Sequence, residues 1–313
     1  MQAITVSDRD AGVAGLSLTD LPYPQAADND VVVRVHAAGF TPGELDWPHT
    51  WIDRAGRDRT PSVPGHELSG VVVELGYGTT LLSVGQRVFG LADWARNGSL
   101  AEYTAVEARN LAPLPIEIDH TVAAALPISG LTAWQGLFDH GKLGKGQTVV
   151  IHGAGGAVGS TAVQLARWAG AEVIGTGRSR VRPLVTELGA DRFVALDDDS
   201  LDADRLEDVA GQADLVFDTI GGDVLARSPA LLRPGGTLVM IKAGGPAPGE
   251  RDDITTVVFI QESSRAQLTE LARLVDEGHL RPQVGPVYPL AEAARAYRAK
   301  AAGGISGRVI LRP

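Results

Sequence analysis

Between residues 148 and 242 the apolar positions fall into short unbroken runs separated by stretches with a helical beat. The runs Thr148–His152, Glu172–Gly177, Arg192–Leu196, Asp214–Ile220 and Thr237–Lys242 are rich in Val, Ile, Leu and Phe and are too short for helices, so they read as buried strands. After the first run, Val158, Ala162, Leu165, Ala166 and Ala169 keep to one face of a 3.6-residue period, and Gly170 closes it. Gly189-Ala190-Asp191 and Pro234-Gly235-Gly236 supply turns between later elements. This alternation predicts an α/β fold with a doubly wound parallel sheet, in which ligands sit beyond the carboxyl ends of the strands.

The flanking regions have a different texture. Up to residue 119 the pattern is mostly β, with runs at Val31–Ala37, Val71–Leu75, Arg87–Phe89 and Ala101–Val106 between Gly- and Pro-rich turns. After the loop Gly244–Gly249 comes a β-branched run, Thr255–Gln261, then a helix carrying Leu268, Leu271, Ala272 and Val275 on one face and stopped by Gly278. A shorter helix bears Leu290, Ala293, Ala294 and Tyr297, and the strand Arg308–Leu311 ends the chain. The two termini are expected to share a domain.

The junction between the first parallel strand and its helix reads Gly153-Ala154-Gly155-Gly156-Ala157-Val158-Gly159. Glycine there permits a sharp turn, lets the backbone approach a pyrophosphate, and leaves the first helical N–H groups aimed at an anion. The first glycine of the usual G-x-G-x-x-G is replaced by Ala154, so the bare pattern is weak. Its position between strand and helix, within a repeated strand–helix series, makes it a dinucleotide site.

Composition narrows the setting. The chain has 313 residues, a formal charge of −10 and no cysteine. The acidity argues against a nucleic-acid surface and offers nothing to an anionic membrane. No stretch of about 18 apolar residues could span a bilayer, and Met1–Val6 lacks a basic start and a long apolar core. Without thiols no disulfide forms, which fits a reducing compartment, and a soluble cytoplasmic protein is expected.

Read together, Pro64-Gly65-His66-Glu67-Leu68-Ser69-Gly70, Gly98-Ser99-Leu100-Ala101-Glu102-Tyr103, Gly130-Leu131-Thr132-Ala133-Trp134, the glycine turn, Asp218-Thr219-Ile220-Gly221-Gly222 and Gly307-Arg308-Val309-Ile310-Leu311 carry a family likeness. In this order they resemble the medium-chain dehydrogenase/reductase superfamily, and within it the zinc-free quinone oxidoreductase, or zeta-crystallin-like, branch. The resemblance spans essentially the whole chain. It implies a Rossmann domain (120–252) inserted into a GroES-like, mostly β catalytic domain (1–119 and 253–313). It also implies reduction of quinones or other activated carbonyls and enones with NADPH, and a homodimer.

The end of the second parallel strand bears on the cofactor. An NAD site places an acid there for the ribose 2′-hydroxyl, whereas Gly177-Arg178-Ser179-Arg180-Val181-Arg182 has none and offers guanidinium donors to a 2′-phosphate. Arg178 and Ser179, with Arg182 behind them, are the candidates, and the cofactor expected is NADP(H). Thr132, Ile241, Lys242, Phe259 and Gln261 are expected to border the nicotinamide.

Zinc is not expected. By resemblance, Thr41 stands where the zinc enzymes have their first thiolate, and their four-cysteine lobe has no counterpart. A site rebuilt from His66, Glu67, Asp46 or His49 lacks ligand spacing, and His66 reads as a hydrogen-bonded remnant. Thr41-Pro42-Gly43-Glu44 occupies, by the same resemblance, the pocket-side Asn-x-x-Asp segment near the nicotinamide. It also reads as a capping box, so Thr41 and Glu44 are both cap and catalytic candidates. Trp47, Trp51 and Trp94 offer flat walls for an aromatic substrate. A quinone accepts hydride without a metal, because its oxyanion is a stabilised phenolate. Reduction of enones or other activated carbonyls is the alternative, and a crystallin-like or sensor protein that binds NADPH with incidental reductase activity is an alternative of another class. The run Thr255–Gln261 is expected to be an uncovered strand edge that pairs across a two-fold axis.

Overall fold

The computed structural model describes residues 1–197, 205–209, 211–241, 249 and 251–313. Strands run in chain order as β1 (Gln2–Thr5), β2 (Ser17–Asp20), β3 (Asp30–Gly39), β4 (Glu67–Leu75), β5 (Arg87–Leu91), β6 (Tyr103–Glu107) and β7 (Leu111–Pro113). They continue as β8 (Thr148–His152), β9 (Glu172–Gly177), β10 (Arg192–Ala195), β11 (Ala213–Asp218), β12 (Leu232–Met240), β13 (Thr255–Val258), β14 (Val284–Pro289) and β15 (Arg308–Arg312).

Two compact units divide the chain. One comprises residues 1–128, 263–277 and 283–313; the other comprises 129–262 and 278–282. These bounds differ from 119/120 and 252/253 for a physical reason at the second junction. β13 forms a parallel ladder with β12, pairing Thr237 with Thr255 through Met240 with Val258, so residues 253–262 belong with the parallel sheet.

The second unit is that sheet, ordered β10-β9-β8-β11-β12-β13 and parallel throughout. Val149, Ile151, Leu215 and Phe217 are buried on one face and Val150, Val216, Leu238 and Met240 on the other. Burial on both faces is why these strands read as continuous apolar runs rather than alternating ones. Strand order reverses between β8 and β11, the crevice where doubly wound sheets bind ligands. The strand foreseen over Thr255–Gln261 stops at Val258, and Phe259–Glu262 continues outside the ladder.

The first unit carries a mixed sheet ordered β14-β15-β3-β4-β5-β7, with β6 also paired to β3. β15 lies antiparallel to β3, so the end of the chain closes the sheet that begins near residue 30. Ile4, Val6, Phe40, Leu45, Trp51, Tyr297, Val309 and Leu311 pack into one core there. Tyr297 comes from a helix over Ala293–Ala301, and a longer helix over Arg265–Asp276 buries Leu268, Leu271, Ala272 and Leu274. Leu274 and Ala296 take the buried positions that the periodicity assigned to Val275 and Ala294. Among the described residues no helix is long and apolar enough to cross a membrane.

Candidate functional site

In the second unit the turn after β8 is shaped by backbone bonds. Gly153 and Ala154 donate to the Thr176 carbonyl at 3.1 and 2.9 Å, and Gly156 donates to Gly153 at 2.8 Å. Gly153 has a φ of 76°, which excludes most side chains, and a Cβ there would stand 2.4 Å from Thr219 Oγ1. At Gly159 a Cβ would stand 2.1 Å from the Gly153 carbonyl oxygen, so only glycine lets the helix pack this close to the strand end. The helix Ala157–Trp168 starts from Gly156 with no side-chain cap, leaving its first N–H groups to an external acceptor. Gly156 is exposed, and Ala157 and Val158 are half-exposed. Ala154 instead turns its methyl into the core, which explains the departure from the glycine pattern. A glycine cradle beneath an uncapped helix end, at the sheet's reversal point, fits the pyrophosphate of a dinucleotide.

Arg178 and Ser179 follow β9 and are exposed. Arg178 forms no ion pair among the described residues. Arg182 does not join them: it donates to the Phe193 carbonyl at 3.2 Å and its guanidinium lies 5.1 Å over the Phe193 ring. The acid absent from this strand end arrives from the next one, since Asp197 accepts the Ser179 N–H at 2.6 Å. No local motif could have revealed that neighbour. Thr132 is buried, Ile241 donates its N–H to Asp218 at 3.3 Å, and Lys242 lies outside the described residues. Phe259 is buried against His140 at 4.6 Å, and Gln261 is half-buried. The neighbouring Glu262 is anchored by Gln135, which donates to its carbonyl at 2.8 Å and accepts its N–H at 2.9 Å.

The first unit places Thr41, Glu67 and Arg308 together. Glu67 is 0% exposed; one carboxylate oxygen accepts the Ile128 N–H at 2.8 Å, and the other is ion-paired with Arg308. Burial raises the Glu67 pKa, while Arg308 and the Ile128 N–H oppose it. Arg308 also donates to Thr41 Oγ1 at 3.2 Å. The hydroxyl cap expected at Thr41 is therefore absent: Oγ1 serves the guanidinium, and Pro42–Asp46 is a short 3-10 turn rather than an α-helix.

Glu44 does not face a substrate surface. It is 1% exposed, with one oxygen accepting from Tyr297 Oη and from the Gly65 N–H at 3.2 Å, and the other unpartnered. Burial pushes its pKa up to about 7, against the Tyr297 hydrogen bond, the Arg308 charge and the Thr41 and Gly65 N–H groups. Tyr297 in turn stacks on Phe40 at 3.9 Å. Sequence reasoning saw Tyr297 only as a core position, because its partner lies 253 residues away.

Trp47 and Trp94 meet edge to face at 5.1 Å, and both contact the His66 ring, at 6.0 and 4.8 Å. Both indoles are half-exposed. Trp51 is instead a core residue whose Nε1 donates to Leu45 at 2.8 Å. His66 is not the hydrogen-bonded remnant foreseen. It is 2% exposed, its Nδ1 has no partner, and burial together with the Arg59 charge lowers its pKa to about 3, leaving it neutral.

These donors do not fit a catalytic zinc ion. Both Glu67 oxygens are engaged, a guanidinium stands between Glu67 and Thr41, and His66 is ringed by indoles. Among the described residues no group of three or more His, Cys, Asp or Glu could hold a metal.

Comparison with known proteins identifies the family. The alcohol dehydrogenase GroES-like domain family matches residues 27–116, and the zinc-binding dehydrogenase family matches residues 188–311. A probable mitochondrial zinc-binding oxidoreductase of Arthroderma benhamiae is 32% identical over 93% of this chain and 90% of its own length. A chloroplastic NADPH-dependent alkenal/one oxidoreductase of Arabidopsis thaliana is 31% identical over 100% of this chain and 80% of its own length. The quinone oxidoreductase of Coxiella burnetii superposes with a TM-score of 0.88 at 26% identity, covering 100% and 99% of the two chains. The chain belongs to the medium-chain dehydrogenase/reductase superfamily, in its quinone oxidoreductase-like branch, and is an oxidoreductase of a family that binds nicotinamide cofactors.

Proposed function

We propose that the protein is an NADPH-dependent, zinc-independent oxidoreductase that transfers hydride to a quinone. The observation that carries this reading is the glycine-lined, uncapped helix end beyond β8, followed at the next strand end by an exposed Arg178 with no ion-pair partner among the described residues. Zinc independence rests on the donor set, in which Arg308 already neutralises the Glu67 carboxylate.

When bound, the reduced nicotinamide supplies the hydride. The chain's own task is to hold it, exclude water and manage charge on the accepting oxygen. Thr41 is suited to that last role. Because Oγ1 accepts from Arg308, its hydroxyl proton remains to be donated toward a substrate oxygen. Trp47 and Trp94, edge to face, offer apolar ring surface to an aromatic acceptor, with neutral His66 beside them. Reduction of an alkenal or enone is the second reading, favoured by the likeness to the Arabidopsis enzyme.

β13 is the outer strand of the parallel sheet, with Val258 53% and Ile260 78% exposed, which supports pairing with a second copy as a homodimer. The absence of cysteine supports the cytoplasm as its compartment.

Steady-state oxidation of NADPH and NADH with a panel of quinones and enones tests the reading. Turnover of about 1–1000 per second with quinones, preferred with NADPH and retained in chelator, is expected. Tight NADPH binding without turnover on any acceptor would make the chain a binding protein. About one zinc per chain, with activity lost on stripping and restored on zinc addition, would overturn metal independence.

A further inference from the structure

Directly beneath the glycine turn three polar side chains form a row across adjacent strands. Thr176 of β9 is in register with His152 of β8, and His152 with Asp218 of β11. All three are buried in a sheet that is otherwise apolar at this depth. His152 Nδ1 lies 2.8 Å from Thr176 Oγ1. His152 Nε2 and Asp218 Oδ2 have no hydrogen-bond partner. Two unpartnered buried polar atoms on neighbouring strands are costly and call for a purpose.

Each residue also meets a loop at the carboxyl ends of the strands, Asp218 through its side chain and His152 and Thr176 through their main-chain carbonyls. Asp218 Oδ1 accepts the N–H groups of Ile220 and Gly221 at 2.7 and 2.6 Å, folding the segment after β11. Thr219 of that segment donates to the His152 carbonyl at 2.7 Å and is the group a Cβ on Gly153 would strike. The Thr176 carbonyl takes the N–H groups of Gly153 and Ala154, and Thr176 immediately precedes Gly177-Arg178. The row therefore underlies the pyrophosphate turn, the segment that leads to the adenosine ribose, and the loop beside the sheet's reversal point.

The histidine tautomer follows from the partners. Burial and the Arg227 charge lower the His152 pKa to about 4, against the attraction of Asp218, so the ring is neutral and carries one N–H. Were that hydrogen on Nδ1, the Nε2 lone pair would face the field of a buried carboxylate. With the Thr176 hydroxyl donating to Nδ1, the hydrogen sits on Nε2 and is drawn to the Asp218 carboxylate.

We propose that Thr176, His152 and Asp218 are positioning residues for the dinucleotide: a Thr176 hydroxyl to His152 Nδ1 bond and an Nε2–H attracted to Asp218 lock the three loops into one cradle. This rests on the reading of the glycine turn as a dinucleotide site. The row touches no reacting atom, so its loss weakens cofactor binding while sparing the chemical step.

The test compares wild type with His152→Phe, which keeps a flat buried ring without nitrogen, and with the conservative His152→Gln. NADPH dissociation constants, kcat and thermal midpoints are measured for each. The expected result is an increase of about tenfold in the NADPH dissociation constant for His152→Phe, a kcat within about threefold, and partial recovery in His152→Gln. Long-range 1H–15N spectra of wild type should show the Nε2–H tautomer. Where His152→Phe does not fold, Thr176→Val removes the hydroxyl bond with little change of volume and should weaken NADPH in the same direction. Unchanged NADPH affinity in a folded variant, or an Nδ1–H tautomer in wild type, overturns the positioning role. A wild type that binds neither NADPH nor NADH overturns the dinucleotide reading and this inference with it.

Discussion

The turn after β8 and the Thr41–Glu67–Arg308 node are both rich in polar groups, yet they handle them oppositely. The turn leaves N–H groups of Ala157 and Val158 open at an uncapped helix start, so its donors wait for an anion. The node closes on itself, with a 0% exposed carboxylate matched by a guanidinium and a backbone N–H. Open donors are cheap while water solvates them and become useful when a ligand replaces that water. A buried charge is tolerable only while its partners stay in place. The first arrangement is suited to binding; the second fixes the geometry around the hydroxyl of Thr41.

Damage at the turn should therefore be read in cofactor binding and damage at the node in stability. The largest effect on activity is expected from Gly159→Val. Its Cβ must enter space 2.1 Å from the Gly153 carbonyl oxygen, forcing the helix away from the strand end. A loss of at least about a hundredfold in kcat/KM for NADPH should follow, since a displacement near 1 Å costs that much in a preorganised site. Circular dichroism with steady-state kinetics checks this, and full activity in the folded variant would show that the close approach is unnecessary.

At the node, Arg308→Met should cost about 3–5 kcal/mol in urea denaturation at pH 8, because the buried Glu67 carboxyl loses the guanidinium that offsets its charge. The penalty should shrink at lower pH, where Glu67 takes up a proton. Adding Glu67→Gln should recover part of the loss, and a fully additive double variant would mean the pair is not coupled.

A carboxylate can also be buried without a guanidinium partner, as Glu44 is, and its signature is pH. Burial pushes its pKa from the ordinary 4.5 up to about 7, so the folded state binds more protons between those values. Stability therefore falls as pH rises from about 4.5 to 7 and is level above, with a total near 3 kcal/mol. Tyr297 and the Gly65 N–H hold one oxygen, and Arg308 acts at longer range. In Glu44→Gln the slope across this window should flatten in chemical denaturation; an unchanged slope would assign it to other groups.

The same contrast explains what could be read from the chain. The turn is local: Gly153 to Gly159 and the flanking strand and helix are contiguous, and their spacing states their geometry. The parallel sheet was legible for the same reason, each strand being a self-contained apolar run. The node was not, because Glu67 and Arg308 are 241 residues apart and meet only after β15 closes on β3. Thr41 and Glu44 have the sequence of a capping box, but the Thr41 hydroxyl serves a long-range guanidinium and Glu44 binds a phenol, while the Thr41 N–H still acts on the Glu44 carboxyl. Among the tryptophans, spacing could not tell that Trp51 lies in the core while Trp47 and Trp94 meet at His66. Nor could it tell that Asp197, one strand over, would reach the Ser179 N–H.

That last contact sharpens the smallest predicted effect, which concerns cofactor choice. Arg178 is exposed at the end of β9, so a bond from it to a 2′-phosphate would be partly screened, and on the proposed reading its loss should raise KM for NADPH by about tenfold with kcat little changed. NADH, which lacks that phosphate, should hardly notice Arg178→Ala. Asp197 works the other way. Its carboxylate sits on the Ser179 N–H beside the same place and repels a phosphate, so Asp197→Asn should lower KM for NADPH modestly while leaving NADH unchanged or slightly weakened. The two substitutions together separate a phosphate site from a ribose site. Opposite movements of the NADPH constant support the assignment, whereas equal losses for both cofactors in Arg178→Ala, or a wild-type kcat/KM higher with NADH, would place Asp197 on a ribose hydroxyl and make the enzyme NADH-dependent.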